Sequence, residues 1–217
     1  MGKYDKYFCE VKVPPWMPKR HPEEPREIAI VDANNFPVMT HHIEVMTIYR
    51  DGARDYGPGI GVVFPTPTDE NAKKWLDTML EQTPGPVYLT PDGKYVAYAR
   101  PMYHTVDEIF LFIGTNPDDP TDLGGEVEFW IGRGEDAEKH VITKTSAVFV
   151  PKGLVHGPIV FKNVRRPFKE IVIFTGPVLV EYGIEDWPPD YVPPKPPKDL
   201  PTIDTKQTKL ITKHIPK

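Results

Sequence analysis

Proline constrains this chain more than any other residue type. It occurs 27 times among 217 residues, and glycine occurs 16 times. Because proline removes a backbone donor and breaks the interior of a helix, a chain so rich in it cannot build many long helices. The apolar share of 39% is nevertheless enough for a packed core. The sequence therefore predicts a mostly β fold in which helix is a minor component.

Proline also divides the chain. Residues 1–37 and 187–217 are proline-rich and carry mixed charge, so we expect an arm at each end. The C-terminal arm is either a solvated tail or an arm that embraces a partner subunit. Between the arms, residues 38–186 are expected to form a barrel with an N-terminal strand extension. One helix is predicted over about 69–83, where apolar residues recur with helical spacing before a Thr-Pro-Gly-Pro sequence.

Short strand-like segments follow one another closely along most of the chain. A Pro-Asp-Gly turn joins two of them, and glycine or proline separates many of the others. Regular short strands with such turns are typical of a β sandwich or barrel. The predicted strands are 28–31, 42–49, 59–64, 87–89, 95–99, 104–113, 126–131, 140–142, 147–150, 159–161 and 170–174.

Charge, cysteine content and hydropathy exclude several classes of function. Lys plus Arg is 26 and Asp plus Glu is 31, so the net charge of −5 gives no electrostatic attraction to nucleic acid or to an anionic membrane. The single cysteine, Cys9, excludes an intramolecular disulfide and a cysteine-based metal cluster. No apolar run approaches the roughly 20 residues of a membrane span, and the N-terminus lacks the apolar core of a signal peptide. We therefore expect a soluble cytoplasmic protein that binds neither nucleic acid nor membrane.

Two segments carry residue types that bind metal ions. In the first, His104 and Glu108 fall on one face of the predicted strand 104–113, which is otherwise apolar. An imidazole and a carboxylate are costly to bury without compensation, which either a metal ion or a hydrogen bond between them would provide. In the second segment, a proline and a glycine end one strand and reverse the chain. This reversal brings His156, at the start of the next strand, back to the end of the barrel at which the preceding strand finished.

The second segment resembles a motif of the cupin superfamily, whose members are double-stranded β-helix barrels with a metal ion at the centre. That motif is a glycine, five residues, Pro-x-Gly, two residues and a histidine. Pro151, Gly153 and His156 match it fully from the proline onward. Thr145 stands where the leading glycine is expected.

The first segment resembles the other cupin motif in a degenerate form. His104 matches the second histidine of its His-x-His pair, and Glu108 follows after three residues. Gly114 closes the motif after five residues where the family has six. The first histidine is replaced by Met102, whose thioether is a weak ligand for a hard divalent ion.

The resemblance implies a jelly-roll barrel in which His104, Glu108 and His156 hold a divalent metal ion. Two histidines and one carboxylate form the ligand set of the non-haem Fe(II) facial triad, and the same set holds Zn, Mn or Ni. The interpretation is a metal-dependent enzyme acting on a small organic molecule, with an iron oxygenase as the preferred form. An isomerase, lyase or hydrolase is an alternative, as is a non-catalytic cupin that binds a small ligand. The resemblance also implies a homodimer.

Further candidate residues lie on other predicted strands. Glu126 and Glu128 share a strand face with Trp130. If that face lines the barrel, one glutamate would act as a general base or a further ligand, and otherwise the face is solvated. The ligand that the degenerate motif lacks would come from another side chain. The alternative is that these side chains lie at the surface or in a pocket and do not bind the metal. These additional candidates are His41, His42, His140 and Met102.

Overall fold

The computed structural model describes residues 4–11, 28–33, 35–53, 62–64, 70, 87–89, 95–97, 101–176, 178–184, 186–192, 202–203 and 209–213. Of the helix predicted over 69–83, only Glu70 is described, and it is helical. The rest of that prediction lies outside the described residues. Within the described ranges, no helix has the length and apolar character needed to span a membrane.

The strands in the described ranges form three antiparallel sheets. Sheet A consists, in spatial order, of β1 (Ile28–Val31), β2 (His42–Ile48), β13 (Phe168–Phe174), β8 (Glu108–Ile113) and β11 (Ser146–Val150). Sheet B consists of β10 (Glu138–Lys144), β9 (Asp122–Ile131), β12 (His156–Lys162), β7 (Met102–His104), β14 (Val178–Gly183) and β16 (Lys209–Lys213), and β3 (Gly52–Ala53) also pairs with β12. The third sheet consists of β15 (Thr202–Ile203), β5 (Val87–Leu89), β6 (Tyr95–Ala97) and β4 (Val62–Phe64).

Eight of these strands form a jelly roll. They are ordered β2-β13-β8-β11 in sheet A and β10-β9-β12-β7 in sheet B. Along the chain, consecutive strands of this set alternate between the two sheets, except at the β9–β10 hairpin. This arrangement is that of the two Greek keys of a double-sheet jelly roll. The predicted class, a mostly β jelly-roll barrel, is confirmed.

The core between sheets A and B follows from strand alternation. On β13, residues 168, 170, 172 and 174 are buried, while the residues between them are partly exposed. Phe110 and Phe112 on β8 and Phe129 on β9 are also almost completely buried. The remaining core side chains are Met46, Ile48, Leu123, Val127, Val150, Ile159, Phe161, Phe168, Val172 and Phe174.

One predicted strand is two strands in the structure. The sequence predicted a single strand over 104–113, but β7 ends at His104 and β8 begins at Glu108. The residues between them carry the chain from sheet B to sheet A. His104 and Glu108 therefore do not share one strand face. They approach each other because the two sheets face one another across the core.

The start of the C-terminal arm packs on the outer face of sheet B. The ring of Trp187 stacks on that of Tyr191, with centroids 5.4 Å apart. The Tyr191 ring meets Trp130 of β9 edge-on at 5.5 Å, and burial raises the pKa of the Tyr191 hydroxyl. The later strands β15 and β16 pair with β5 and β14 of the same chain. Part of the segment 187–217 is therefore built into the sheets.

Candidate metal centre

Three titratable side chains meet between the sheets. His104 ends β7 and His156 begins β12, which are neighbouring strands of sheet B, whereas Glu108 begins β8 in sheet A. The exposed fractions are 3%, 2% and 0% respectively. The ligand atoms of the three all lie within 4.8 Å of one another. Among the described residues, no other group of three or more His, Cys, Asp or Glu side chains has this arrangement.

Glu108 lies close to both imidazoles. Its Oε2 atom is 3.0 Å from Nδ1 of His104 and 3.0 Å from Nε2 of His156. Burial alone would raise the pKa of Glu108, but positive charge on His156 and the two close imidazole contacts lower it to about 2. The carboxylate is therefore held in its ionised form, and positive charge on His156 or on a bound metal ion offsets the cost of burying it.

A backbone carbonyl determines which nitrogen of His156 faces Glu108. Nδ1 of His156 is 3.3 Å from the carbonyl oxygen of Leu154, and because a carbonyl only accepts, Nδ1 carries the proton. Nε2 of His156 then faces Oε2 of Glu108, and either a proton or a metal cation between these two atoms makes the buried contact favourable. Metal-binding histidines are commonly oriented by a carbonyl in this way.

A divalent metal ion fits these three residues. Imidazole and carboxylate together are ligands for Fe, Mn, Zn and Ni. The 3.0 Å separation of neighbouring donor atoms is the spacing expected for ligands at about 2.1 Å from an ion with octahedral angles. The ionised Glu108 supplies the negative charge that such an ion requires. The group formed by His104, Glu108 and His156 therefore has the donor types and the spacing that fit a divalent ion.

Aromatic rings surround the two histidines. Phe174 lies 5.3 Å from His104, and Phe110 lies 5.9 Å from His156, both at steep angles between the rings. Phe129 lies nearly parallel to His156 at 6.3 Å. These rings restrict the imidazoles and lower the local dielectric constant, which strengthens electrostatic interactions at the site.

Two of these rings were missed by the sequence analysis. Phe129 could have been found from strand alternation, since it lies on the face of β9 opposite Glu128. Phe174 is the register partner of Glu108 across β13 and β8. That pairing joins distant parts of the chain and leaves no signal in the sequence.

Met102 occupies the position of the missing histidine of the first cupin motif. It lies two residues before His104 on β7, and so on the same strand face. Its backbone is paired with that of His156. The residue at this position is a weak thioether donor and not a strong imidazole ligand.

Comparisons with known proteins give structural neighbours only. No protein-family model matches the chain, and no curated protein sequence matches it. A sugar phosphate isomerase of the cupin superfamily from Silicibacter pomeroyi aligns at 8% identity and a TM-score of 0.37, covering 73% of this chain and 66% of its own. An oxalate oxidase aligns at 11% identity and a TM-score of 0.39, covering 79% of this chain and 60% of its own. A cupin protein from Bacteroides fragilis aligns at 9% identity and a TM-score of 0.32, covering 74% and 86%.

The strand order decides the type of fold. The chain has the predicted jelly-roll fold. Its structural neighbours include proteins of the cupin superfamily, and the matched region spans less than two thirds of the first two of these structures.

The barrel turns Glu126 and Glu128 away from the candidate metal centre. Asn163 donates a hydrogen bond of 2.9 Å to Glu126, and Nζ of Lys162 lies 2.7 Å from Glu128. Because Phe129, next to Glu128, fills the core, the pleat of β9 places both glutamates on the outer face. The structure therefore does not bring these two predicted catalytic residues to the ligand group.

His42 lies inside the barrel but outside the group of three. Its Nε2 atom is 2.9 Å from Oε1 of Glu44, and its Nδ1 atom is 3.8 Å from Oδ2 of Asp32. Its ring is 5.7 Å from that of Phe174. In the register of sheet A, Phe174 lies between His42 and Glu108. The phenyl ring thus separates His42 from the metal centre.

His41 and His140 are exposed. Nδ1 of His41 is 3.3 Å from the hydroxyl of Thr40. His140 is on β10 at the edge of sheet B, with Nε2 3.7 Å from Glu138. The structure brings neither histidine to the three ligands.

Proposed function

We propose that the protein is a metal-dependent enzyme of the cupin type that acts on a small organic molecule. The observation that supports this is the convergence of His104, Glu108 and His156 inside the barrel. Three protein ligands leave at least one position open on a divalent ion, as catalytic metal sites require. Such an ion polarises a bound oxygen of the substrate or activates dioxygen or water.

The chain's own residues keep this site charged, oriented and dry. Glu108 remains ionised, and the carbonyl of Leu154 holds His156 so that Nε2 faces the site. Phe110 and Phe129 pack beside the same imidazole and exclude water from that side. This environment suits a small substrate that directs one polar group to the ligands and places apolar atoms against the rings.

The finer assignment that we propose is a non-haem iron oxygenase. Two histidines and one carboxylate are the ligand set of such enzymes. The apolar walls formed by Phe110, Phe129 and Phe174 also suit a reaction that must exclude bulk water. Isomerases, lyases and hydrolases use the same ligand types, and the metal that is bound separates these reaction classes.

A second candidate function is the binding of a small ligand without catalysis. Met102 supports it, because a soft donor replaces the fourth strong ligand that the cupin motif supplies. In that case the three buried polar groups would bind a polar ligand directly. Metal content distinguishes the two functions.

The test is elemental analysis of untagged protein, purified and then reconstituted with Fe(II), Mn(II), Zn(II) or Ni(II). We expect stoichiometric metal in the unsubstituted chain and its loss in both His104→Ala and His156→Ala. His140→Ala is the matched control, since it removes an exposed histidine, and should retain the metal. Equal metal in all variants would show that the site is elsewhere, and no metal in any of them would favour the ligand-binding function.

Oxygen consumption by the Fe(II)-loaded protein, measured against a panel of small organic molecules, tests the finer assignment. Substrate-dependent uptake that is lost in His104→Ala would support the oxygenase. A protein that binds only Zn(II), or that loads iron and never consumes oxygen, would point to the other reaction classes.

A further inference from the structure

The two connections that carry the three candidate ligands are joined to each other outside the ligand group. The crossover between β7 and β8 covers residues 105–107 and lies between His104 and Glu108. The connection between β11 and β12 covers residues 151–155 and directly precedes His156. Hydrogen bonds link these two connections, so the position of one depends on the position of the other.

Asp107 supplies the side-chain part of this link. Its Oδ1 atom accepts a hydrogen bond of 2.8 Å from the backbone N–H of Lys152. The next N–H along the chain, that of Gly153, donates a hydrogen bond of 2.9 Å to the carbonyl oxygen of His104. Two successive backbone donors are thus directed at the two ends of the crossover. Because Asp107 directly precedes Glu108, these bonds fix the β11–β12 connection relative to both ligands that flank the crossover.

The carbonyl group of Asp107 holds a third segment. It accepts hydrogen bonds from the backbone N–H of Thr175 at 3.0 Å and from the hydroxyl of the same residue at 3.2 Å. Thr175 directly follows Phe174, whose ring lies 5.3 Å from that of His104. Asp107 therefore joins the crossover to the β11–β12 connection through its side chain and to the end of β13 through its backbone.

The link reaches His156 through a tight turn. The N–H of Leu154 donates a hydrogen bond of 3.1 Å to the carbonyl oxygen of Pro151, which closes a four-residue turn over 151–154. Gly153, at the third position, has a φ of +80°, a conformation that glycine adopts without strain. The carbonyl oxygen of Leu154, the last residue of the turn, is 3.3 Å from Nδ1 of His156. A displacement of the turn therefore moves the group that orients His156.

We propose that Asp107 is a positioning residue of the candidate metal centre, which holds His156 against the other two ligands through the turn 151–154. This role rests on the proposed metal-dependent function. Replacement of a residue that orients a metal ligand typically weakens metal binding by about 10–100-fold. Asp107 acts through the backbone of the turn and not directly on an imidazole. We therefore expect an effect at the lower end of that range, about tenfold.

The experiment is a competition titration of the untagged full chain with Zn(II) and a chromogenic chelator. Asp107→Ala removes the acceptor and should raise the Kd for Zn(II) about tenfold. Asp107→Asn keeps an acceptor oxygen and should bind Zn(II) as the unsubstituted chain does. Asp119→Ala is the matched control, because Asp119 also accepts a hydrogen bond from a backbone N–H in an exposed loop, that of Thr121 at 3.0 Å, and the Kd should not change.

The absorption spectrum of the Co(II)-loaded protein is the second measurement. Its ligand-field bands depend on the arrangement of the ligands, which a general loss of stability would not alter. The bands should change in Asp107→Ala and not in Asp107→Asn. An unchanged Kd together with unchanged bands in Asp107→Ala would overturn the proposal. Equal impairment of both Asp107 variants would also overturn it, because the cause would then be the lost charge, as would an equal effect of Asp119→Ala.

Amide hydrogen exchange of the metal-free chain separates this role from the proposed function. The amides of Gly153 and Leu154 keep their own acceptors in Asp107→Ala, so faster exchange there would show that Asp107 holds the turn. Unchanged exchange would count against that role whether or not metal binds. Failure of the unsubstituted chain to bind Zn(II) or Co(II) would instead refute the metal-dependent function, and the exchange rates would still decide whether Asp107 positions the turn.

Discussion

Glu108→Gln isolates the charge at the proposed metal centre. Glu108 is completely buried, and glutamine has nearly the same shape, so the substitution opens no cavity in the core. It does replace an anion with a neutral amide. Since the lowered pKa of about 2 keeps the carboxylate ionised at neutral pH, the unsubstituted chain offers a divalent ion a charge that the variant lacks. Metal binding should therefore be lost while the fold remains.

The size of the expected change in Tm follows from the coupling of metal binding to folding. At a free metal concentration 100 times the Kd, binding to the folded state alone adds about 2.7 kcal/mol to the free energy of unfolding. For a chain of this length, 1 kcal/mol corresponds to about 2–4 °C in Tm. Removal of the metal should therefore lower the Tm of the unsubstituted protein by about 5–11 °C. The Tm of Glu108→Gln should be the same with and without metal.

The assay is thermal unfolding followed by circular dichroism, with chelator and with added metal. Comparison of the two curves within each variant cancels any effect of the substitution on the metal-free fold. Glu128→Gln is the control, because Glu128 lies on the outer face beside Lys162 and should keep the full metal-dependent shift. If Glu108→Gln kept that shift, Glu108 would not be a ligand and the reasoning would fail.

Two further predictions concern the barrel itself. Phe110→Ala should lower the free energy of unfolding, measured in urea, by about 3–5 kcal/mol, because Phe110 is fully buried. Phe8→Ala is the control and should change the free energy of unfolding little, because Phe8 is 80% exposed. Equal effects of the two substitutions would contradict the assigned core. The hydrogen bond that Arg166 donates lowers the pKa of Asp122. The ionised carboxylate therefore stabilises the folded state at pH values above the usual carboxyl range. This stabilisation is lost as the pH falls through the lowered pKa. Asp122→Asn should therefore have a lower free energy of unfolding than the unsubstituted chain at neutral pH, and this difference should vanish in acid. A difference that persists in acid would count against the ion pair.

The mostly β class and the position of His156 at the start of a strand were predictable because their signals are local. Proline content limits helix whatever the tertiary structure is. The turn from Pro151 to Gly153 places a histidine at the start of the next strand, and β12 does begin at His156. Such features depend on residues that are close along the chain.

The meeting of His104 and Glu108 was predicted for an incorrect reason. Alternation along one strand placed both on the same face, but the strand is interrupted, and the two residues come from different sheets. They meet because the chain crosses the core between them. Where a strand breaks depends on which partners are available for hydrogen bonding, and those partners are distant in sequence.

Alternation on β9 illustrates the division between sequence and tertiary structure. The sequence alone determined that Glu126 and Glu128 share a face with Trp130, since side chains on a strand alternate with a period of two. It did not determine which face is inside, because that depends on which side of the sheet packs against β8 and β13. The tertiary structure turned Phe129 inward and both glutamates outward. The backbone geometry of one strand sets which residues lie together, and the packing of two sheets decides which of those groups reaches the metal centre.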